Sequence, residues 1–206
     1  MPRTNVYIDG FNLFYGAVKG TPYKWLDVGK LSQRVLPNDT IQSIKYFTAN
    51  ISGRPHDPGK PIRQQAYLRA LKTIPNLKIV YGHFLTHSCR MVLTGSNPLK
   101  WVWVDKTEEK GSDVNLAAHL LHDAFKRLFE VAVLITNDSD LLEPVRIVRH
   151  EFKLPVGILN PQQHHSVELK QHATFIKRIR QADVAACQFP DIMKDSRGSF
   201  HKPADW

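Results

Sequence analysis

Cysteine is scarce in this chain, and long apolar runs are missing. Only Cys89 and Cys187 occur, which excludes a disulfide framework, and neither belongs to a Cys/His segment with zinc-site spacing. No apolar run approaches the roughly 20 residues that span a bilayer. The opening residues, MPRTNVYIDG, lack the basic and then apolar stretch of a signal peptide. These absences predict a soluble, reducing, cytoplasmic context with no membrane partner.

Two common catalytic motifs are also missing, and acidic residues are in the minority. No G-x-x-x-x-G-K-[ST] segment occurs, which argues against a P-loop nucleotide enzyme. No G-x-S-x-G segment occurs either, so the usual α/β-hydrolase nucleophile is excluded. Asp and Glu number 19 against 28 Lys and Arg, and the resulting net charge of +9 favours nucleic acid or another polyanion as partner.

Apolar runs alternate with helical patterns along most of the 206 residues. The run VAVLI at 131–135 has no polar alternation, which is typical of a strand buried on both faces of a parallel sheet. We therefore predict an α/β fold in three layers, α/β/α, with a mainly parallel central sheet, forming a single domain over residues 1–206. Two segments depart from the alternation. Residues 83–105 read as a hairpin excursion, and residues 182–206 read as an irregular extension packed on the domain.

Four acidic residues follow strands or begin helices, at the edge where open α/β sheets bind ligands. Asp9 follows the first strand, Asp138 follows the strand at 131–136, Asp140 opens the next helix, and Asp113 lies near the start of a long helix. Carboxylates that meet repel each other unless a cation lies between them, and Mg²⁺ or Mn²⁺ is the hard, oxygen-binding candidate. This pattern predicts a metal site of Asp9, Asp113 and Asp138, with Asp140 assisting, that acts on a phosphodiester.

Each acid also has a structural explanation. Asp140, followed by Glu143, fits a helix capping box, which leaves Asp138 as the acid that is hardest to explain structurally. Asp113 could serve only as a helix cap, and Asp9 before Gly10 could form an Asx-type turn. For these acids the sequence leaves both interpretations open.

Three further polar sites carry two interpretations each. Asn12 either caps the first helix or orients a phosphate or a water at the site, and Ser139 either contacts a phosphate or fills a turn. The pair at 164–165, two histidines in a polar loop, has no third ligand at a fitting spacing, so solvation is favoured over metal binding.

Cationic and aromatic residues suited to nucleic acid lie in two places. One segment carries a group of cations opposed only by Asp57, namely Arg54, Lys60, Arg63, Arg69 and Lys72. We predict that Arg63 and Arg69 contact the phosphate backbone. Trp101 and Trp103 alternate with valines, so both fall on one strand face. That face either stacks on unpaired bases or packs against the domain or against a second subunit of a homodimer.

Several segments together resemble one known family. They are VYIDGFNLFYG (6–16), KWLD (24–27), YFTA (46–49), EEKGSDVNLAAHLLHDA (108–124) and VLITNDSDL (133–141). They are similar to the NYN domain, a PIN-like nuclease fold, and above all to its bacterial LabA-like group. The segments QFPD and KPADW resemble that group's ending, so residues 182–206 are expected to belong to the domain. The resemblance implies a metal-dependent ribonuclease, with Asp9, Asn12, Asp113, Asp138 and Asp140 at motif positions.

One position departs from the family pattern. His119 stands six residues after Asp113, where many NYN domains carry a further acid, which leaves the second ion of a two-metal site without that ligand. An imidazole there can still ligate Mn²⁺ or hold a water. Asp123, one helical turn later, either compensates or is a solvated surface acid. The alternatives to a nuclease are a catalytically weak NYN-like module that binds RNA or a regulatory partner, and a metal phosphatase acting on small esters.

Overall fold

The computed structural model describes residues 1–53, 55 and 57–206, so Arg54 of the predicted basic group lies outside the described residues. The first half contains strand β1 (Arg3–Asp9), helix α1 (Gly10–Leu13) continued by a π-helical turn (Phe14–Val18), helix α2 (Val28–Val35), strand β2 (Thr40–Thr48), helix α3 (Lys60–Leu71) and strand β3 (Leu77–Tyr81). A long hairpin of strands β4 (His83–Val92) and β5 (Trp101–Lys110) follows.

The second half contains helix α4 (Ser112–Phe125), strand β6 (Val131–Ile135), a 3₁₀ turn (Ser139–Leu141), helix α5 (Leu142–His150), strand β7 (Val156–Asn160), helix α6 (Val167–His172), strand β8 (Phe175–Arg178), helix α7 (Gln181–Ala186) and strands β9 (Ile192–Asp195) and β10 (Gly198–His201). Within the described residues, no helix is both long enough and apolar enough to cross a membrane.

Six parallel strands form the central sheet in the order β3-β2-β1-β6-β7-β8, which confirms the predicted fold class. The chain builds outward from β1 to β3, and after α4 it returns to the centre as β6 and builds outward to β8. The strand order therefore reverses between β1 and β6. In open α/β sheets, ligands bind in the crevice at the carboxyl ends of the strands on either side of such a reversal.

Helices cover both faces of the sheet, because the central strands are apolar on both sides. On β1, Val6 and Ile8 belong to one core, whereas Tyr7 belongs to the other. The first core includes residues of α2, α3 and α7, and the second includes residues of α4, α5 and α6. This arrangement gives the three predicted layers.

The hairpin of β4 and β5, here called the hairpin arm, pairs over its whole length from His83↔Lys110 to Val92↔Trp101. Most of its side chains are exposed, including Trp101 at 54% and Trp103 at 71% of their areas. Packing of the tryptophan face against the domain, one of the expected alternatives, is therefore wrong. The interpretations as a base-stacking face or as a subunit contact remain.

The last residues are more regular than expected. The prediction of an irregular segment over 182–206 is wrong where α7 and the β9–β10 hairpin occur. An aromatic group anchors this segment to the domain, because the Trp25 ring lies 5.9, 6.4 and 6.2 Å from the rings of Phe189, Phe200 and Trp206. Short strands of alternating burial such as β9 carry too little apolar signal to be recognised from sequence.

Candidate metal centre

Asp9 is the last residue of β1 and the N-cap of α1. Its Oδ1 accepts a hydrogen bond from the Asn12 backbone N–H at 2.9 Å, and Thr136 Oγ1 donates to its Oδ2 at 3.4 Å. Only 5% of the residue is exposed. Burial raises the pKa of Asp9 to about 6, and the nearby carboxylates of Asp113 and Asp138 add to that rise. Asp9 therefore has a capping role and is also an ionisable group held at high cost beside two other acids.

Asp113 lies in the first turn of α4, but it does not cap that helix. The N-cap is Gly111, whose φ of 96° is a conformation that glycine adopts without strain. Glu109 Oε1 accepts hydrogen bonds from the Ser112 backbone N–H at 3.2 Å and hydroxyl at 2.8 Å. Burial raises the pKa of Asp113, and the negative charges of Asp138, Glu109 and Asp140 raise it further. The interpretation of Asp113 as a cap is therefore wrong.

Asp138, rather than Asp140, caps the helical turn that follows β6. Asp138 is the N-cap of the 3₁₀ turn, where its Oδ1 accepts the Asp140 backbone N–H at 3.0 Å. Helix α5 begins only at Leu142 without a side-chain cap, and Glu143 pairs with Arg146 at 2.7 Å. The predicted Asp140–Glu143 capping box is therefore wrong. Asp140 is left exposed beside the site.

Asp9, Asp113 and Asp138, here called the acidic triad, each place one carboxylate oxygen within 4.8 Å of the others. They come from β1, α4 and the turn after β6, and they meet beside the point where the strand order reverses. Within the described parts of the chain, none of the three forms an ion pair with Lys, Arg or His. An all-oxygen donor set without its own counter-charge fits a hard divalent cation.

Asn12 does not cap α1, because Asp9 holds that position. Its Oδ1 instead accepts the Asn137 backbone N–H at 3.1 Å and Gln162 Nε2 at 3.4 Å. The Asn12 side chain therefore ties the end of β1 to the loops that follow β6 and β7. Ser139, the first residue of the 3₁₀ turn, is exposed beside Asp138 and Asp140.

Asp123 is neither a solvated surface acid nor a substitute ligand. It is 1% exposed, forms an ion pair with Lys45 Nζ, and accepts the Tyr7 hydroxyl at 2.6 Å. Burial alone would raise the pKa of Asp123, but the hydrogen bonds from Lys45 and Tyr7 bring that pKa below its ordinary value. His119 lies against the Phe47 ring at 5.8 Å, and burial followed by the charge of Lys45 lowers the pKa of its imidazole.

The two arginines predicted to contact phosphate are both engaged by carboxylates. Arg69 donates from Nε and Nη2 to Asp195 at 2.8 and 2.7 Å and from Nη2 to the Gly198 carbonyl at 3.0 Å, so it fastens the β9–β10 hairpin. Arg63 Nη2 donates to Asp57 at 2.6 Å, and its Nη1 lies 3.6 Å from Asp205. The structure thus gives Arg69 a packing role that sequence reasoning missed, because Asp195 is 126 residues away.

Three positioning residues went unrecognised in the sequence. Glu109 fixes the start of α4, as described above. Thr136 Oγ1 donates to Asp9 and accepts the Asp138 backbone N–H at 3.1 Å, so it links two members of the acidic triad. Asn137 accepts the Ser166 backbone N–H at 2.7 Å and donates to the His164 carbonyl at 3.0 Å. All three belong to the segments EEKGSD and ITNDSD, whose polar residues were the available signal.

Three comparisons with known proteins found a matching family, a curated relative and a similar solved structure. The family model for the NYN domain matches residues 3–180. A curated relative from Pseudomonas putida, named 6-hydroxy-3-succinoylpyridine 3-monooxygenase, is 30% identical over 237 residues, which cover 99% of this chain and 75% of the relative. A solved protein of unknown function from Vibrio parahaemolyticus superimposes with a TM-score of 0.55 at 15% identity, covering 87% of this chain and 93% of that one. The second likeness concerns the fold alone.

The family match includes all three members of the acidic triad, Asn12 and the six parallel strands that bring them together. From this match and the sheet topology we conclude that the chain belongs to the NYN domain family, a branch of the PIN-like nuclease fold.

Proposed function

We infer that this protein is a metal-dependent ribonuclease, an endonuclease that hydrolyses RNA phosphodiester bonds at the acidic triad. The observation that carries this proposal is the meeting of three carboxylates within 4.8 Å, without a cationic partner among the described residues, where the sheet order reverses. A buried acid whose pKa is raised to about 6 is costly to keep ionised without a counter-charge. A bound Mg²⁺ or Mn²⁺ would remove that cost.

The side chains around the triad suit a phosphodiester substrate. When bound, the cation supplies a Lewis acid that neutralises phosphate charge and promotes ionisation of water. Asp9, Asp113 and Asp138 would hold the cation, and exposed Asp140 would orient the attacking water and accept its proton as the bond from phosphorus to the leaving oxygen breaks. The Ser139 hydroxyl and the Asn12 amide N–H groups would donate hydrogen bonds to phosphate oxygens. This division of roles uses each residue for what its chemistry allows.

The rest of the molecule supports RNA as the substrate. A net charge of +9 attracts a polyanion, although the metal site itself is acidic. The hairpin arm rises from the site, since β5 leads through Gly111 directly into the α4 turn that holds Asp113. On this arm the Arg90 guanidinium lies 5.6 Å from the exposed Trp101 ring, beside exposed Trp103. Exposed aromatic faces next to cations are typical of surfaces that stack unpaired bases.

Cleavage of labelled single-stranded RNA tests this function. Wild type, Asp138→Asn and the control Asp191→Asn, an exposed acid away from the triad, are assayed with Mn²⁺, with Mg²⁺ and with a chelator. We expect metal-dependent internal cleavage by wild type and the control, and a loss of 100-fold or more in Asp138→Asn, about the loss typical of a direct transition-state contact. Equal cleavage by all three proteins would overturn the mechanism.

Retained RNA binding by Asp138→Asn, without turnover by any of the proteins, would instead support the binding-module alternative. A matched single-stranded DNA substrate in the same assay separates RNA-directed cleavage from general nuclease activity. Because RNA carries a 2′-hydroxyl that DNA lacks, we expect the DNA strand to be cut at least tenfold more slowly. Equal rates on the two strands would assign the site to nucleic acids in general.

The relative from Pseudomonas putida supports a second candidate function, oxygenation of a heteroaromatic acid. Its name describes oxidation of a hydroxylated succinoylpyridine, and it aligns with 99% of this chain. Ring hydroxylation consumes dioxygen and two electrons from a reductant, and non-haem iron oxygenases usually bind iron through two histidines and one carboxylate. The acidic triad contains no histidine, so the donor set favours hydrolysis. Dioxygen uptake with a hydroxypyridine carboxylate, Fe²⁺ and a reductant, absent in Asp138→Asn, would favour oxygenation instead.

A further inference from the structure

A pocket of about 460 Å³ opens beside the acidic triad and has no part in the mechanism above. Its lining begins at Gly10, the residue after Asp9, and continues along α1, α3 and the base of the hairpin arm. A Cβ on Gly10 would lie 2.7 Å from the Tyr46 ring and the Phe47 carbonyl, so a glycine lets the chain after Asp9 pass directly against β2 at the pocket wall. One wall of the pocket is therefore formed by the residue that directly follows a member of the acidic triad.

Aromatic rings from five separate segments line this pocket. They are Phe11, Phe14 and Tyr15 of the first helical stretch, Tyr46 of β2, Tyr67 of α3, Phe84 of β4 and Trp206 near the end of the chain. Phe11 and Phe84 meet edge to face at 5.8 Å, which joins α1 to the hairpin arm across the pocket. Tyr15 is 57% exposed at the rim. A volume of this size lined by rings is the usual environment of a planar ligand.

Cationic side chains also line the pocket, and two of them have no carboxylate partner in the described chain. Lys60 and Arg63 share one face of α3 with Gln64 and Tyr67, all four at helical spacing. Arg63 is engaged by Asp57 and Asp205, and the Gln64 amide is bonded to the backbone of Ala49 and Ile51. Lys24 and Lys60 are therefore the lining cations that remain able to receive an anion.

We propose that this pocket binds a planar heteroaromatic ring that carries an anionic group, with the ring among the aromatic side chains and the anion at Lys24 and Lys60. Two sources share this chemistry. One is a nucleotide of RNA, whose base enters the pocket while its neighbouring phosphate lies at the acidic triad; this source rests on the proposed function. The other is a free heteroaromatic carboxylate, the class to which the substrate named for the Pseudomonas relative belongs.

Calorimetric titration of the metal-free protein, with chelator present, tests the pocket independently of catalysis. The probes for the first source are uridine 5′-monophosphate and adenosine 5′-monophosphate, and the probe for the second is pyridine-3-carboxylate. Uridine provides a ring without an anion, and ribose 5-phosphate provides an anion without a ring. We expect at least one of the charged heteroaromatic probes to bind at least about tenfold more tightly than either half-probe, because each half-probe lacks either the ring stacking or the charge pairing.

The variants separate the pocket from general surface charge. The double variant Lys24→Ala/Lys60→Ala should weaken binding of the charged ring about tenfold, and Tyr15→Ala should weaken it several-fold. The control Lys72→Ala removes an exposed cation at the far end of α3 and should change nothing. Nucleotide binding alone assigns the pocket to RNA, and pyridine carboxylate binding alone assigns it to a free acid.

The proposal is overturned if no charged ring binds, or if the double variant and the Lys72→Ala control bind equally. Metal-dependent RNA cleavage without any ring binding would remove the pocket proposal and leave the nuclease intact. Ring binding without cleavage by the metal-loaded protein would support the pocket proposal and remove the proposed nuclease function.

Discussion

Two buried carboxylates of this protein, Asp9 and Asp123, have opposite electrostatic surroundings. Asp9 is 5% exposed and Asp123 is 1% exposed, and both lie where α4 packs on the central sheet. Asp123 has a lysine and a tyrosine hydroxyl as partners, whereas Asp9 has two further acids as neighbours. The pKa of Asp123 is accordingly lowered by those partners against the effect of burial, and burial raises the pKa of Asp9 to about 6.

The difference between the two acids shows which buried carboxylate has a counter-charge within the protein and which needs one from a bound ligand. Asp123 and Lys45 complete each other, so their pair serves the packing of α4 on β1 and β2. The acidic triad has no such internal partner among the described residues, and it lies at the ligand-binding edge of the sheet. A group without an internal partner at that edge is a site for an external cation.

The largest expected effect comes from breaking the completed pair. Asp123→Asn leaves the Lys45 ammonium buried without its counter-charge, and we expect the free energy of unfolding to fall by about 3–5 kcal/mol. Urea denaturation at pH 7 measures the change. The folded fraction of this variant should still bind Mn²⁺ as wild type does, because Asp123 is not a ligand. Loss of Mn²⁺ binding without loss of stability would place Asp123 in the metal site.

The corresponding change in the triad should have the opposite sign. Asn caps a helix as well as Asp does, so Asp9→Asn removes a buried charge and keeps the cap. Since the folded pKa of Asp9 is raised from 3.8 to about 6, metal-free wild type loses up to about 3 kcal/mol as the pH rises through this window. We therefore expect metal-free Asp9→Asn to be more stable than wild type by about that amount at pH 8, with the gain vanishing near pH 4.

Urea denaturation of both proteins in chelator, at several pH values, measures this gain. Added Mn²⁺ should stabilise wild type at pH 8 and leave Asp9→Asn unchanged, which reverses the order of the two proteins at high metal concentration. A variant less stable than metal-free wild type at pH 8 would contradict the assignment of Asp9 as an uncompensated acid.

A smaller effect is expected on the hairpin arm. Trp103→Ala removes a ring that is 71% exposed, and we expect the affinity for single-stranded RNA to fall about tenfold, as for loss of one stacked base. The matched control is Leu99→Ala, which removes an exposed apolar side chain near the tip of the same arm. Fluorescence anisotropy with labelled RNA measures both. An unchanged affinity together with a weakened self-association would assign this face to a homodimer.

The smallest effect on RNA is expected at Arg69, a cation that the fold has already paired. Arg69→Ala breaks its hydrogen bonds with Asp195 and Gly198, so it should lower the melting temperature of the protein. Its effect on RNA affinity should stay within about twofold, because an engaged guanidinium contributes little to phosphate binding. The same anisotropy assay and a thermal melt measure the two quantities. A tenfold loss of RNA affinity with unchanged stability would restore the phosphate role first expected for Arg69.

The acidic residues at the edge of the sheet could be predicted from the sequence because the signals for them are local. An apolar run followed at once by Asp9 or Asp138 marks both the strand and its carboxyl end. The capping role of Asp138 was beyond the sequence, since a 3₁₀ turn precedes α5 and moves the cap from Asp140 to a position two residues earlier. The partners of Asp123 lie 78 and 116 residues away, so only the packed sheet decides that this acid is satisfied. The aromatic pocket is equally non-local, because five segments supply its rings.

Diffraction from crystals soaked in Mn²⁺ above pH 7, recorded at the manganese edge, tests the central claim most directly. We predict one anomalous peak, bounded by carboxylate oxygens of Asp9, Asp113 and Asp138, and no peak there in Asp9→Asn crystals. A wild-type site without manganese at saturating concentration, or an ion held by other side chains, would contradict it.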